Sequence, residues 1–203
     1  MHDALTAGVA VYNAGEHHAA HDAWEATWLE LETGTDDERF LHGLIQFTAV
    51  VYHGRRRNWS GAGKLARSAG GYLDGLAADY RGVDLARVRA YLARVAADPE
   101  YVERARPPSL RYEGDELGAA ALSLDALDVA AAVVAEEYGF DEDVVARAVV
   151  YAREEERTAQ SRFRALVVDF VQDAARRGLV YDRLRDHVQR RRREETDVEG
   201  LFE

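Results

Sequence analysis

The 203-residue chain contains no cysteine. Disulfides, thiolate metal sites and cysteine nucleophiles are therefore excluded. Proline occurs three times, at Pro99, Pro107 and Pro108, all in one short stretch. No run of eighteen apolar residues occurs, so the sequence offers no membrane-spanning helix. The opening Met1-His2-Asp3-Ala4 lacks the basic stretch and apolar block of a secretory signal, and the expected location is cytoplasmic. Lysine is nearly absent: Lys64 is the one lysine among 26 basic residues, against 37 Asp and Glu. Carboxylates hold water and cations well, whereas a lysine stem adds apolar surface around its charge. The sequence therefore reads as that of a soluble, acidic protein adapted to molar salt. At such salt the Debye length falls to about 3 Å, so the formal charge of −11 speaks of habitat more than of partners.

Nearly half the residues are apolar, enough for a substantial core. Their spacing is helical throughout, with no strand pattern and no internal repeat. Helices are expected over 4–13, over 16–32 and over 38–56. In the second, Ala20, Trp24, Trp28 and Leu31 share one face. The third is apolar nearly all round, which marks a central helix, and Gly43 inside it implies close approach of a neighbour. Thr35 or Asp36 is the expected N-cap. A small-residue helix from Ser60 to Tyr80 and one capped by Asp84 and ending near Ala97 complete a first bundle. The expected fold class is all-α: about five helices in 1–98, an irregular linker over 99–122, about four helices in 123–193, and a fraying tail over 194–203. In the second block, Phe163, Leu166, Val167, Phe170, Val171 and Ala174 form the clearest amphipathic stripe.

Two tracts stand out. One runs Tyr-Asn-Ala-Gly-Glu-His-His-Ala-Ala-His-Asp-Ala-Trp-Glu-Ala-Thr-Trp from Tyr12, and the other Phe-Leu-His-Gly-Leu-Ile-Gln-Phe-Thr-Ala-Val-Val-Tyr-His from Phe40. Asn58 and Gly61-Ala62 follow. This pattern resembles the family called domain of unknown function 309, over about residues 5–100. In that family, His-x-x-Trp-Glu-x-x-Trp lies on one helix and Gly-Leu-Ile-Gln, then His, on the next. The matching positions here are His21, Trp24, Glu25, Trp28, Gly43, Leu44, Ile45, Gln46 and His53. The resemblance implies a small helical bundle and carries no activity with it. The second block reads as an extension to the family pattern.

Five of the seven histidines fall between His17 and His53. His21 and Glu25 are four apart and share a helix side, with His17 a turn earlier. Gln46 and His53 are seven apart on the next helix. If the two helices pack antiparallel, the four groups can form a polar cluster between apolar layers. Three readings of it stay open. A satisfied hydrogen-bond network would fix helix register. A metal-free pocket would have Trp24 and Trp28 as walls and His21 and Glu25 as polar contacts. A divalent transition-metal site would take His21, Glu25 and His53 as ligands, although no His-Glu-x-x-His or Glu-x-x-His pair is present and glutamine is a poor ligand.

The favoured function is a non-catalytic helical interaction or structural module with a buried His/Glu/Gln cluster and no cofactor, acting on an unknown protein partner or as a homo-oligomer. The alternative is a metal-dependent or pocket-based enzyme using His21, Glu25 and His53. Arg55 to Arg57 and Arg190 to Arg193 read as solvated or carboxylate-paired, so neither nucleic acid nor membrane is an expected partner. No phosphate-binding glycine loop, nucleophile elbow or dinucleotide fingerprint is present.

Overall fold

A computed structural model describes residues 1–156 and 162–199. The chain folds as α1 (His2–Asn13), α2 (His17–Leu29), α3 (Asp36–Arg55), α4 (Trp59–Leu73), α5 (Leu85–Ala97), the single turn α6 (Tyr101–Arg104), the two-residue strands β1 (Arg111–Tyr112) and β2 (Asp115–Glu116), then α7 (Leu124–Tyr138), α8 (Glu142–Glu156), α9 (Arg162–Gln172) and α10 (Arg177–Glu199). The fold is all-α, as the periodicity requires. No described helix is long and apolar enough to cross a membrane.

Local chemistry sets the boundaries. Thr35 caps α3, its hydroxyl accepting from the Glu38 N–H at 3.3 Å. Asn58, Asp84 and Ser123 cap α4, α5 and α7 in the same way. Left-handed Gly139 (φ 67°) ends α7. The fourth helix is shorter than its expected span to Tyr80. It stops at Leu73, where Asp74 turns extended and Gly75 takes φ 77°.

α3 runs through the middle of the N-terminal bundle, packed on α2 and α4. Gly43 is the point of closest approach to α4: a Cβ there would lie 2.5 Å from the Leu73 side chain. α1 lies on α2, and Gly8 makes room for the indole of the fully buried Trp24, which would stand 2.1 Å from a Cβ.

The stretch 99–122 has little regular structure beyond single turns and two-residue strands, and it is tied to the bundle. The Asn13 amide donates to the carbonyls of Leu110 (2.9 Å) and Leu117 (3.0 Å), and its oxygen accepts from the Leu110 N–H at 2.8 Å. Between these clamps β1 and β2 pair through a two-residue turn, Glu113-Gly114, with φ of 52° and 92°. Positive φ at both positions is the hairpin geometry that suits twisted strands. Two-residue strands are too short to leave an alternating pattern in the sequence. The charged end, expected to fray over 194–203, is helical to Glu199. Just before it, Arg191 pairs with Glu154 (2.5 Å) and lies 4.3 Å over the Tyr151 ring, and within it Glu195 accepts from the Tyr151 hydroxyl at 2.8 Å. The rest of that tail, 200–203, and residues 157–161 of the second block lie outside the described residues.

The second block docks on the first. α7 packs against α1 and α2, and buried side chains from both blocks form one continuous core. At the seam, Arg177 pairs with Glu16 at 2.7 Å, both buried. The Tyr138 hydroxyl donates to the second Glu16 oxygen at 2.6 Å, and Arg177 also donates to the carbonyls of Phe170 and Val171.

Candidate functional site

The antiparallel hairpin of α2 and α3 carries the polar residues singled out in the sequence, and distributes them over separate sites. Trp24 belongs to the core, its indole N–H donating to the Leu5 carbonyl at 3.2 Å. Trp28, one turn on, is partly buried, and its indole donates to Glu38 at 2.9 Å. Glu38 is the hub of a network that sequence reasoning missed. One of its oxygens takes the Trp28 bond and pairs with His42 Nδ1 at 3.3 Å; the other accepts from the Gly34 N–H at 3.3 Å. Gln46 then meets His42 Nε2 at 3.0 Å. With Nδ1–H donating to Glu38, Nε2 accepts from the Gln46 amide. Burial pushes the Glu38 carboxyl up, but the bonds from Trp28, Gly34 and His42 outweigh it and hold the carboxyl below its usual value.

The His42 ring lies between Tyr72 (centroids 3.9 Å apart, stacked) and Trp28 (4.6 Å). An open cleft of about 710 Å³ runs beside this sandwich, lined by Trp28, Gly34, Glu38, His42, Ser68 and Tyr72. Trp28 is thus a pocket wall and Trp24 is not.

His53 sits at the end of α3, where its Nδ1 accepts from the Asn58 amide at 2.9 Å. That bond leaves the Asn58 oxygen free to cap α4 through the Gly61 N–H at 3.0 Å. His53 thus braces a helix start. His17 is buried edge-on against Tyr12, with ring centroids 4.8 Å apart. Burial first, and the Arg55 guanidinium second, bring the His17 imidazole down to about 4.

His21 and Glu25 do come together, with Asp22 as third member: one donor atom from each falls within 4.8 Å of the others. His21 Nδ1 is 2.8 Å from Asp22 Oδ1. A second set shares Asp22: His18 Nδ1 lies 3.5 Å from Asp22 Oδ2 and 2.7 Å from an oxygen of Glu137 on α7. Among the described residues, no hydrogen bond or ion pair joins His21 or Glu25 to Gln46 or His53. His18, His21, Asp22 and Glu25 fall at helical positions i, i+3, i+4 and i+7, a signal present in the sequence. Glu137 had none, because it arrives from the other block.

Residues 5–65, from α1 into α4, match the family model described as domain of unknown function (DUF309). This part of the chain belongs to the DUF309 family. The match is shorter than the stretch of about 5–100 over which the motif resemblance was read, and it takes in both the Glu38 network and the α2 face. The DUF309 segment leaves out Tyr72, Glu137 and the whole second block. No curated protein matches the chain.

Proposed function

We propose that the protein is a non-catalytic helical scaffold or interaction module, whose DUF309 hairpin is locked by the Trp28–Glu38–His42–Gln46 network. The observation that carries this reading is Glu38: its two oxygens take bonds from α2, from the α2–α3 turn and from α3 itself. These bonds on Glu38 support a fixed hairpin register, although among the described residues the Gln46 Oε1 at the end of the network is buried without a hydrogen-bond partner. The acid-rich, nearly lysine-free composition supports a place in the cytoplasm of a salt-adapted cell.

The competing enzyme reading uses His21, Glu25 and His53, none of which lines the open cleft beside Trp28. Urea denaturation of two variants separates the readings. For the scaffold, Glu38→Ala lowers stability by about 2 kcal/mol or more, since it strips charge-assisted bonds, and Glu25→Gln changes little. A loss below about 0.5 kcal/mol at Glu38, within the range of ordinary surface substitutions, overturns the scaffold reading. An enzyme built on Glu25 instead loses ligand binding in Glu25→Gln at full stability.

A further inference from the structure

The face of α2 opposite its buried alanines carries four ligand-type side chains, His18, His21, Asp22 and Glu25. Helix α7 brings a fifth, Glu137, against the first of them. The scaffold reading uses none of these groups, and their arrangement is not that of a row of solvated charges. Asp22 stands between two imidazoles and offers a different oxygen to each: Oδ2 to His18 and Oδ1 to His21. Both imidazoles present Nδ1 toward it.

We propose that His18, Asp22 and Glu137 bind a divalent transition-metal ion of the zinc class and that the bound ion fastens α2 to α7. One imidazole nitrogen and two carboxylates form a mixed N/O set of the kind that zinc and its neighbours accept and that leaves a position for water. At metal–ligand distances of about 2.1 Å, tetrahedral ligand atoms lie roughly 3.4 Å apart. His18 Nδ1 is already 3.5 Å from Asp22 Oδ2, and the three donor atoms all lie within 4.8 Å. Small side-chain rotations therefore close the set. On binding, His18 takes the neutral tautomer with its proton on Nε2, so that Nδ1, which faces Glu137 across 2.7 Å, turns its lone pair to the ion. His21 keeps its bond to Asp22 Oδ1 and so orients the ligating carboxylate from outside, with Glu25 beside it.

The backbone on both sides is already held. Glu137 is the neighbour of Tyr138, and His18 lies two residues from Glu16. The bond between Tyr138 and Glu16, and the buried pair of Glu16 with Arg177, fix α2 against α7 and α10. The ion thus meets ligands from two blocks whose separation is set without it, so ordering costs are small.

Isothermal titration of the full, metal-free chain with Zn²⁺, with Mg²⁺ as control, tests the proposal. One Zn²⁺ binds per chain and Mg²⁺ does not. Glu137→Gln and His18→Gln each abolish saturable binding, whereas their urea midpoints without metal stay near that of the parent. His21→Gln weakens binding by about 10–100-fold, as loss of an outer partner does. Zn²⁺ also slows amide exchange at the C-terminal turn of α7 in the parent and not in Glu137→Gln. Absence of saturable Zn²⁺ binding overturns the site. Binding that survives Glu137→Gln but is lost in Glu25→Gln places the ion on α2 alone and overturns the link to α7.

Discussion

His17 illustrates how a single buried side chain couples the fold to pH. It enters the core at the start of α2, packs on Tyr12 and feels Arg55, and its imidazole is held down at about 4 instead of 6.5. The folded chain keeps it neutral, whereas the unfolded chain protonates it below 6.5. Stability is therefore intact above about pH 6.5, falls as pH drops toward 4, and loses nothing further from this group below 4. The full loss is on the order of 3 kcal/mol. Urea midpoints of the parent and His17→Asn across pH 4–7 measure it by difference, because carboxylate effects are common to both chains. Parallel curves for the two proteins would show that His17 does not carry this pH dependence. His53 makes a complementary point: a histidine placed where a metal ligand is sought can serve a cap, through Asn58.

Between elements, the closest packing depends on missing side chains. Gly43 lets α3 and α4 approach until Leu73 fills the space that a Cβ would need. Gly43→Ala removes a helix-weakening glycine, a gain of about 1 kcal/mol. It also drives a methyl to 2.5 Å from Leu73, an overpacking cost of about 1–3 kcal/mol. The clash outweighs the propensity gain, and thermal unfolding of Gly43→Ala is expected at a lower temperature than that of the parent. A rise in Tm would show that α4 moves aside without cost. The same logic made the glycine readable in advance: inside an apolar helix, it is best explained by a neighbour. The α2–α3 turn was also legible, since Thr35 precedes Glu38 by the capping spacing. That Glu38 then turns its carboxylate to Trp28 and His42 was not legible, because the same residue serves equally well as a plain helix-start acid.

At the scale of the whole molecule, the two blocks share one core, and their seam contains a charge pair, Glu16 with Arg177, buried on both sides. Removing one partner of a buried pair leaves the other uncompensated, which costs about 3–5 kcal/mol. Arg177→Met is expected to fall in that range, and Glu16→Gln in the same chain to recover part of it. A double-mutant cycle by urea denaturation measures the coupling. A single-variant loss below about 1 kcal/mol would mean that the seam rests on apolar packing alone.

The sequence by itself determined the helical class, the cap at Asp84, a cap at Thr35 or Asp36 for α3, the central place of α3, and the family of its N-terminal segment. Each of these is written in local spacing, in period, or in a contiguous motif. It also marked His21, Glu25, Gln46 and His53 as polar groups on the α2–α3 hairpin, because residue type and helical phase are local properties. Only the tertiary structure decided their partners. Helix phase gives a direction, and hydrogen bonds need positions good to a fraction of an ångström. The result is that Gln46 joins His42, His53 joins Asn58, and His21 joins Asp22. The meeting of His18 and Asp22 with Glu137, and of Glu16 with Arg177, spans more than a hundred residues of chain and arises from how α7 and α10 settle on the bundle. No local pattern encodes such a meeting, because it is fixed by the packing of apolar faces that are themselves indifferent to which charges they bring together.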